Sequence, residues 1–264
     1  MINGKELNNF TVTYNDGNLF NMKDYNLYVQ RWNLPTPEIN NESERLNTGE
    51  HGLIDMGTTY GGWEGAAECK LEAPIGVDFE FLTSEIKKIL LSCDPFYISR
   101  DSIPESRRLV KCKNSFTFTR KGNTGKTVLP FISYSPYAES TYTTLESGSN
   151  EYVYNTNSFS VYNAGHAKID PRGIHTPLLI TFKGASDKLK IINKTTGDEW
   201  TYNGKTAVDD IIRLDRVRST KNSLSIVRDT NKKVIRLNAG INEFEITGAI
   251  GAFSISFDFR FYYF

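Results

Sequence analysis

The chain has 264 residues, and its 31 Lys and Arg residues balance its 31 Asp and Glu residues, which gives a formal net charge of zero. This length suits one large β-domain or two ordinary domains, and a neutral chain does not attract nucleic acid by bulk electrostatics. The first residues are charged and no run approaches the roughly 20 apolar residues of a membrane helix, so we expect a chain folded in the cytosol without membrane contact.

Cysteine and histidine residues show no metal-binding spacing. The cysteines are odd in number, and without a secretory signal they predict reduced, buried thiols. No Cys-x-x-Cys pair is present, so we expect no metal and no other cofactor. The residues are Cys69, Cys93, Cys112, His51, His166 and His175.

The chain opens with short strand-like segments separated by turn residues. Residues 10–14 alternate as a strand, and Asn-Asp-Gly-Asn at 15–18 predicts a hairpin turn. A second strand is predicted over residues 25–32, ended by the prolines that follow it. The polar residues 40–50 predict an exposed loop.

Glycine is dense in residues 49–63, where the surrounding sequence is of β type. This predicts β-bulges and tight turns, because glycine adopts positive φ at no steric cost. A catalytic pair of His51 with Asp55 is an alternative reading, but no nucleophile motif accompanies it.

One helix is predicted, over about residues 84–93. Thr83 is the expected N-cap, and Pro95 ends the helix because the residue before proline avoids the α region. The spacing places Cys93 on a buried apolar stripe. The other members of the stripe are Leu82, Ile86, Ile89 and Leu90.

Basic residues dominate the strand-like segments after the helix. Eight lie between Arg100 and Lys126, against two acidic residues. They indicate either solvated strand faces or an electrostatic contact with an acidic partner. Residues 122–127 resemble the end of a phosphate-binding loop, but Arg120 stands where that loop needs glycine, so we predict a hairpin turn and no nucleotide site.

A Ser- and Thr-rich stretch near residues 138–150 marks the predicted junction between domains 1–138 and 139–264. The second half shows many short strands and turns, which is typical of a two-sheet sandwich or jelly roll. The aromatic residues of 253–264 fall on odd positions, which predicts a closing strand with one buried face. Predicted strands cover 152–161, 178–183, 189–193, 200–203, 211–215, 224–228, 234–237 and 243–247.

Two chemical readings of the second half remain open. A glycosidase needs two carboxylates about 5–10 Å apart, and Asp209, Asp210 and Asp215 are candidates, with Asp229, Glu243 and Glu245 further along. A carbohydrate-binding module or adhesin would instead use exposed aromatic side chains. The tyrosines clustered across the junction are Tyr134, Tyr137, Tyr142, Tyr152, Tyr154 and Tyr162.

An ordered series of short motifs resembles the distal tail proteins of long-tailed, siphovirus-type bacteriophages. In the first half the series is Gly49-Glu-His-Gly52, Asp55-Met-Gly57 with Tyr60, the single helix, and Leu129 to Tyr137. In the second half it is Asn163-Ala-Gly165, Thr176 to Ile180 with Gly184, Leu189 to Asn193, Ile211 to Asp215, and Leu237-Asn-Ala-Gly-Ile-Asn242 before the aromatic closing strand.

The resemblance implies a mainly β protein. It implies an N-terminal β-barrel or sandwich-like ring domain with one α-helix, followed by a C-terminal galectin-like β-sandwich or jelly roll. It implies a non-enzymatic structural virion protein without catalytic residues, which forms a homo-hexameric ring at the distal end of the tail. The galectin-like domains would lie outside that ring.

The implied partners are the major tail tube protein, the tail-associated lysin or spike protein, the tape measure protein and a receptor-binding protein. Assembly would take place in the bacterial host cytoplasm. We expect the contacts between subunits in the glycine-rich stretch 49–63 and the polar segment 40–50. The sugar-binding signature of true galectins is missing, so sugar binding by that route is not expected.

Overall fold

The structure is a computed structural model of the chain, and it describes residues 8–46, 51–146, 148 and 150–264. The chain divides into two compact units. The first runs to Ala138 and includes the last residue, Phe264, and the second spans Glu139–Tyr263. Each unit has its own buried apolar core.

The first unit is mainly β. Its described elements are β1 (Phe10–Thr13), β2 (Leu19–Asn21), a 3₁₀ turn (Met22–Tyr25), β3 (Leu27–Asn33), β4 (Ile39–Arg45), β5 (Leu53–Tyr60), β6 (Trp63–Glu72), α1 (Phe79–Leu90), β7 (Phe96–Arg100), β8 (Ile103–Cys112), β9 (Thr119–Lys121) and β10 (Thr124–Ser133).

Most strands of the first unit form one sheet in the order β2-β1-β7-β8-β10-β6-β3, with β9 added along β10. Alternate residues of these strands point into the core, as the period of a strand requires. Phe10 of β1 and Phe131 of β10 are fully buried, with ring centroids 5.9 Å apart. Helix α1 closes this core with its apolar stripe, where Ile86 and Leu90 are fully buried.

The helix begins five residues earlier than its predicted start. Asp78 is the N-cap, and its carboxylate accepts a hydrogen bond from the Glu80 amide at 3.0 Å. Thr83, the predicted cap, lies inside the helix, where its hydroxyl donates to the Glu80 carbonyl. Because the helix ends at Leu90, Cys93 lies beyond it and is exposed, so its predicted burial is wrong.

Two predicted hairpins are confirmed, and one predicted loop is wrong. β1 pairs antiparallel with β2 around residues 15–18, and β9 pairs with β10 around residues 122–123. The segment 122–127 is therefore a hairpin, as expected. Residues 39–45 form strand β4 instead of an exposed loop, and residues 47–50 lie outside the described part of the chain.

The second unit is built of strands and short turns. After β11 (Ala138–Ser140), its described elements are β12 (Val153–Tyr154), β13 (Ser158–Asn163), β14 (Leu178–Asn193), β15 (Asp198–Thr201), β16 (Lys205–Thr206), β17 (Ile211–Asp215), β18 (Arg218–Lys221), β19 (Leu224–Ser225), a 3₁₀ turn (Val227–Asp229), β20 (Gly240–Phe259) and β21 (Tyr262–Tyr263).

Two long strands, β14 and β20, form the spine of the second unit. They pair between residues 178–193 of β14 and 244–259 of β20, with register shifts near the middle of β14, where Gly184 has a φ of +149°. The shifts bend the sheet, and its two halves face each other across the core. The indole nitrogen of Trp200 on β15 donates to the hydroxyl of Ser219 on β18 at 3.2 Å, from one half to the other.

Three buried asparagines hold the loops at one end of this core. Asn242 donates to the carbonyls of Asn238 and Gly240, and its side-chain oxygen accepts the Asn238 amide at 2.8 Å and the Asn193 side chain at 3.2 Å. Asn163 donates to the carbonyls of Asn238 and Ala167. Because the buried loop amides and carbonyls find partners here, these side chains replace strand pairing.

The predicted strand at 234–237 is wrong, because those residues run as an irregular segment with one isolated bridge from Leu237 to Ile169. Ile235 and Leu237 are nevertheless buried, which explains the alternation in the sequence. The closing strand is confirmed through Phe259. Beyond it the pattern shifts, and Tyr262 is buried where Phe261 was expected.

A close backbone approach makes Gly165 sensitive to substitution. A Cβ at this position would lie 2.6 Å from the amide nitrogen and 2.8 Å from the carbonyl oxygen of Tyr262. We expect Gly165→Ala to lower the free energy of unfolding of the second unit by about 1–3 kcal/mol, measured by chemical denaturation. Gly173→Ala is the control, because its nearest neighbours lie at 3.4 and 3.5 Å, and an equal loss there would contradict the steric explanation.

Candidate assembly surfaces

The β4–β5 hairpin is a fully exposed element of the first unit. The two strands pair only with each other among the described strands, and every residue of both is exposed. A two-stranded ribbon of this kind is marginally stable in water by itself. It also leaves backbone donors and acceptors open along both edges, which can pair with another chain.

The polar and apolar side chains of the hairpin lie mainly on different strands. β4 is polar after Ile39, whereas β5 carries Leu53, Ile54 and Met56 in its first half. Leu53 is 62% exposed and Met56 57% exposed, so the outer half of β5 presents apolar surface that no described residue of the unit covers. The hairpin lies in the two segments, 40–50 and 49–63, where the sequence led us to expect subunit contacts, but its pairing and the apolar side chains of β5 were not predicted.

A β-bulge lies in the middle of the hairpin, as the glycine content predicted. Met56 is the extra residue, since Glu42 pairs with Gly57 and Ser43 pairs with Asp55. Gly57 adopts a φ of +115°, and its amide donates to the Asp55 carboxylate at 2.9 Å. The Asp55 side chain therefore supports the bulge, and His51 is exposed at the start of the described part of this segment.

The base of the hairpin is fixed to the core of the first unit. Glu38 and the Gly61–Gly62 segment are joined by two backbone hydrogen bonds of 2.9 and 3.1 Å. The next residue, Trp63, is buried, and its indole nitrogen donates to the Pro35 carbonyl at 2.8 Å. The hairpin is thus an arm that is anchored at its base.

Arg108 packs against Trp63 at the base of the hairpin. Its guanidinium carbon lies 4.5 Å from the Trp63 ring centroid, and Nη1 donates to the Pro136 carbonyl at 3.1 Å. Burial lowers the pKa of Arg108 to about 10, so it stays charged at neutral pH. The half-buried cation is therefore held by contacts within the first unit.

Most of the other basic residues between Arg100 and Lys126 also have partners within the first unit. Lys113 pairs with Glu64 at 2.5 Å, and Arg120 lies over the Phe79 ring and 3.8 Å from Glu80. Arg107 stacks on Tyr97 at 3.7 Å. These contacts favour the interpretation that the basic residues lie on solvated strand faces over the interpretation that they contact an acidic partner.

The cysteines show no features of a reactive site. Burial raises the pKa of Cys69 to about 12 and that of Cys112 to about 11, so both remain thiols at neutral pH. Cys93 is exposed. In the described part of the chain, no three His, Cys, Asp or Glu side chains are placed to hold a metal ion. No described helix is long and apolar enough to cross a membrane.

The carboxylates considered for catalysis occupy ordinary structural positions. Asp210 accepts the Ala207 amide at 2.9 Å and the Asn222 side chain at 2.7 Å, and these hydrogen bonds lower its pKa. Asp209 is exposed in the turn before strand β17, and Asp215 is the exposed last residue of that strand. Asp210 thus stabilises a turn, which is a sufficient reason for its presence.

The tyrosines considered for sugar binding divide into packed and exposed members. Tyr154 stacks on Phe159 with centroids 4.2 Å apart, and Tyr152 is buried. Tyr137 lies 5.3 Å from Phe264 within the first unit. Tyr134, Tyr142 and Tyr162 are exposed.

Comparison with known proteins finds a family model that matches most of the first unit and a solved structure that shares the fold of the whole chain. Residues 15–133 match the family model described as phage tail protein RIFT-related domain. The chain is similar to the solved structure of the Dit protein (gp 19.1) of phage SPP1, with a TM-score of 0.68 and 15% identity over 96% of this chain and 99% of that one. That protein is described as a paradigm of the hub adsorption apparatus in phages that infect Gram-positive bacteria.

A structure of the phage P2 baseplate in its activated conformation with calcium is also similar, with a TM-score of 0.43 and 9% identity over 96% of this chain and 97% of that one. No curated protein sequence matches the chain. The resemblance seen in the sequence is confirmed, and so is the mainly β fold with a helix in its first half. Residues 15–133 thus match the phage tail protein RIFT-related domain, and the chain as a whole shares its fold with the SPP1 Dit protein.

Proposed function

We propose that this protein is a non-enzymatic structural component of a phage virion, a distal tail protein whose subunits close into a hexameric ring. The ring joins the tail tube to the baseplate or tail-tip proteins. The family match to residues 15–133 and the fold shared with SPP1 Dit support this role. The exposed β4–β5 hairpin is the observation that supports ring formation.

The hairpin suits a contact between neighbouring subunits for two reasons. Its apolar side chains and open strand edges gain a partner when another copy docks against them. Its fixed base holds the arm in one direction, so each subunit would meet the next in the same way. A head-to-tail contact repeated by rotation closes into a ring and leaves no free arm.

The other proposed partners follow from the proposed position of the ring at the distal end of the tail. The ring would contact the major tail tube protein on one face and the tail-associated lysin or spike protein on the other. It would surround the tape measure protein, and a receptor-binding protein would attach from outside. The second unit, proposed to be galectin-like, would decorate the ring, and assembly would take place in the bacterial host cytoplasm.

We expect Leu53→Glu combined with Met56→Glu to prevent ring formation without unfolding the subunit. Both side chains are exposed in the subunit, so the charges cost little there, whereas they would be buried in the contact. Sedimentation velocity over a range of concentrations should then find a 29.9 kDa monomer where the unmodified protein associates. The free energy of unfolding of the variant should differ from that of the unmodified protein by no more than about 0.5 kcal/mol.

A matched control places the same two charges on the second unit. Val208 and Leu224 are similarly exposed there, and Val208→Glu combined with Leu224→Glu should assemble like the unmodified protein. If the hairpin variant assembles normally, the hairpin is not the contact. If both variants fail to assemble, the added negative charge prevents assembly wherever it lies, and the hairpin has no special role.

A further inference from the structure

A cleft of about 410 Å³ opens on the surface of the second unit. Four separate segments meet there: the segment between β13 and β14, the start of β15, the turn between β17 and β18, and the irregular segment before β20. Four of the seven residues that line it are basic. The lining consists of Arg172, Asp198, Val217, Lys232, Lys233, Val234 and Arg236.

Arg236 is held in place by Asp198. The Asp198 carboxylate accepts Nε of Arg236 at 2.8 Å and Nη2 at 2.6 Å, and it also accepts the Arg236 backbone amide at 3.0 Å. Burial opposes ionisation of Asp198, but hydrogen bonds from Arg236 and Thr196 outweigh it and lower its pKa. The guanidinium uses Nε and Nη2 in this pair, so Nη1 can still donate to a ligand.

Arg172 forms a similar pair at the edge of the cleft. Its Nε and Nη2 donate to the Asp170 carboxylate at 2.9 and 2.5 Å. These hydrogen bonds lower the pKa of Asp170. Two guanidinium groups are thus oriented by carboxylates, which is how binding sites fix arginine for an anion.

Lys232 and Lys233 add charge that the carboxylates do not balance. Both lysines are exposed, and Lys232 adopts a left-handed backbone with a φ of +59°. The four cations face the carboxylates of Asp170 and Asp198, which leaves two positive charges. Glu199 lies within reach of the Lys233 charge, but its own ion pair is with Lys190 at 3.4 Å, so the balance does not change.

We propose that this cleft binds an anionic carbohydrate or polyol that carries phosphate or carboxylate groups. The anionic groups would lie against Lys232, Lys233 and the free guanidinium edges. Val217 and Val234 provide a small apolar surface for the carbon face of the sugar or polyol. The volume falls in the range of small-molecule sites, whereas a protein partner usually covers about 800 Å² of flat surface.

This inference goes beyond the proposed ring and does not depend on it, because every residue involved lies in the second unit. Isothermal titration calorimetry of the full chain tests it with four probes of similar length: a glycerol phosphate oligomer, a galacturonate oligomer, an uncharged dextran oligomer and a glutamate peptide. We expect binding of one or both anionic polymers, weakened by salt, and none of dextran. Whichever of the two anionic oligomers binds with the higher affinity shows whether the cleft prefers phosphate or carboxylate.

Two variants locate the binding. Lys232→Glu combined with Lys233→Glu should reduce affinity by at least about tenfold, because two attractive charges become repulsive. Lys183→Glu combined with Arg213→Glu makes the same change of net charge on exposed residues outside the cleft and should have a small effect. Asp170→Asn removes a negative charge beside the cleft while its side-chain oxygen can still accept from Arg172, so it should tighten binding about two- to threefold, which a misfolded protein would not do.

The proposal is overturned if neither anionic oligomer binds, or if the two lysine reversals reduce affinity no more than the control pair. Stronger binding of the glutamate peptide than of both polymers would also overturn it, because the partner would then be an acidic protein segment.

Discussion

Replacing Asn242 by aspartate should lower the free energy of unfolding of the second unit by about 3–5 kcal/mol at pH 7. Asn242 is fully buried, and its amide group donates to the carbonyl oxygens of Asn238 and Gly240 at 2.9 and 3.1 Å. An aspartate has the same shape but no donor, so its charged oxygen would face two carbonyl oxygens without solvent. The loss arises from an uncompensated buried charge.

The pH dependence separates this explanation from a simple packing defect. Burial among carbonyl oxygens raises the pKa of the introduced carboxyl in the folded state above its unfolded value of about 3.9. The loss should therefore be largest above the folded pKa and decrease as the pH falls towards the unfolded value. Chemical denaturation at pH 7 and pH 5 measures this, and a pH-independent loss would contradict it.

Asn203→Asp is the matched control for the asparagine prediction. Asn203 is exposed in the turn that follows β15, so the same change of charge should alter stability by no more than about 0.5 kcal/mol. A loss at Asn203 as large as that at Asn242 would mean that the added charge, and not the buried network, determines stability.

The second large effect is expected at Phe257 in the closing strand. Phe257 is fully buried, and its ring lies 4.8 Å from Phe244, 5.8 Å from Phe159 and 6.1 Å from Tyr154. Phe257→Ala removes the centre of this aromatic cluster and should cost about 3–5 kcal/mol. Calorimetry should show the transition of the second unit moved to lower temperature.

Phe131→Ala is the reciprocal variant in the first unit. Phe131 is also fully buried, beside Phe10. Its replacement should therefore lower the free energy of unfolding of the first unit by a similar amount and move that unit's transition to lower temperature. We expect each variant to move one transition and leave the other in place, because each unit has its own core. Equal shifts of both transitions by either variant would contradict independent unfolding.

Periodicity in the sequence predicted the elements that are half-buried. Strand β17 was predicted with its observed bounds, because its apolar and charged residues alternate on a sheet with one solvated face. The closing strand followed the same rule until Arg260, which pairs with Glu139 at 3.6 Å and Glu146 at 3.2 Å. That pairing fixes the backbone where the strand breaks, and residue spacing alone did not reveal it.

The sequence did not predict elements whose role depends on distant residues. Strand β4 is polar and exposed on both faces, so it carries no hydrophobic period. The segment before β20 alternates like a strand but is held by asparagine side chains instead. The basic cleft combines residues from 172 to 236, and only the adjacent Lys232 and Lys233 could have drawn attention to it.

The most direct test of the proposed function is electron microscopy of the purified chain, alone and mixed with its tail tube protein, together with a mass measurement. Six chains of 29.9 kDa would give a particle of about 180 kDa, and class averages should show a six-fold ring with a central opening. The account is contradicted if the protein stays a monomer in both samples and no rings are seen.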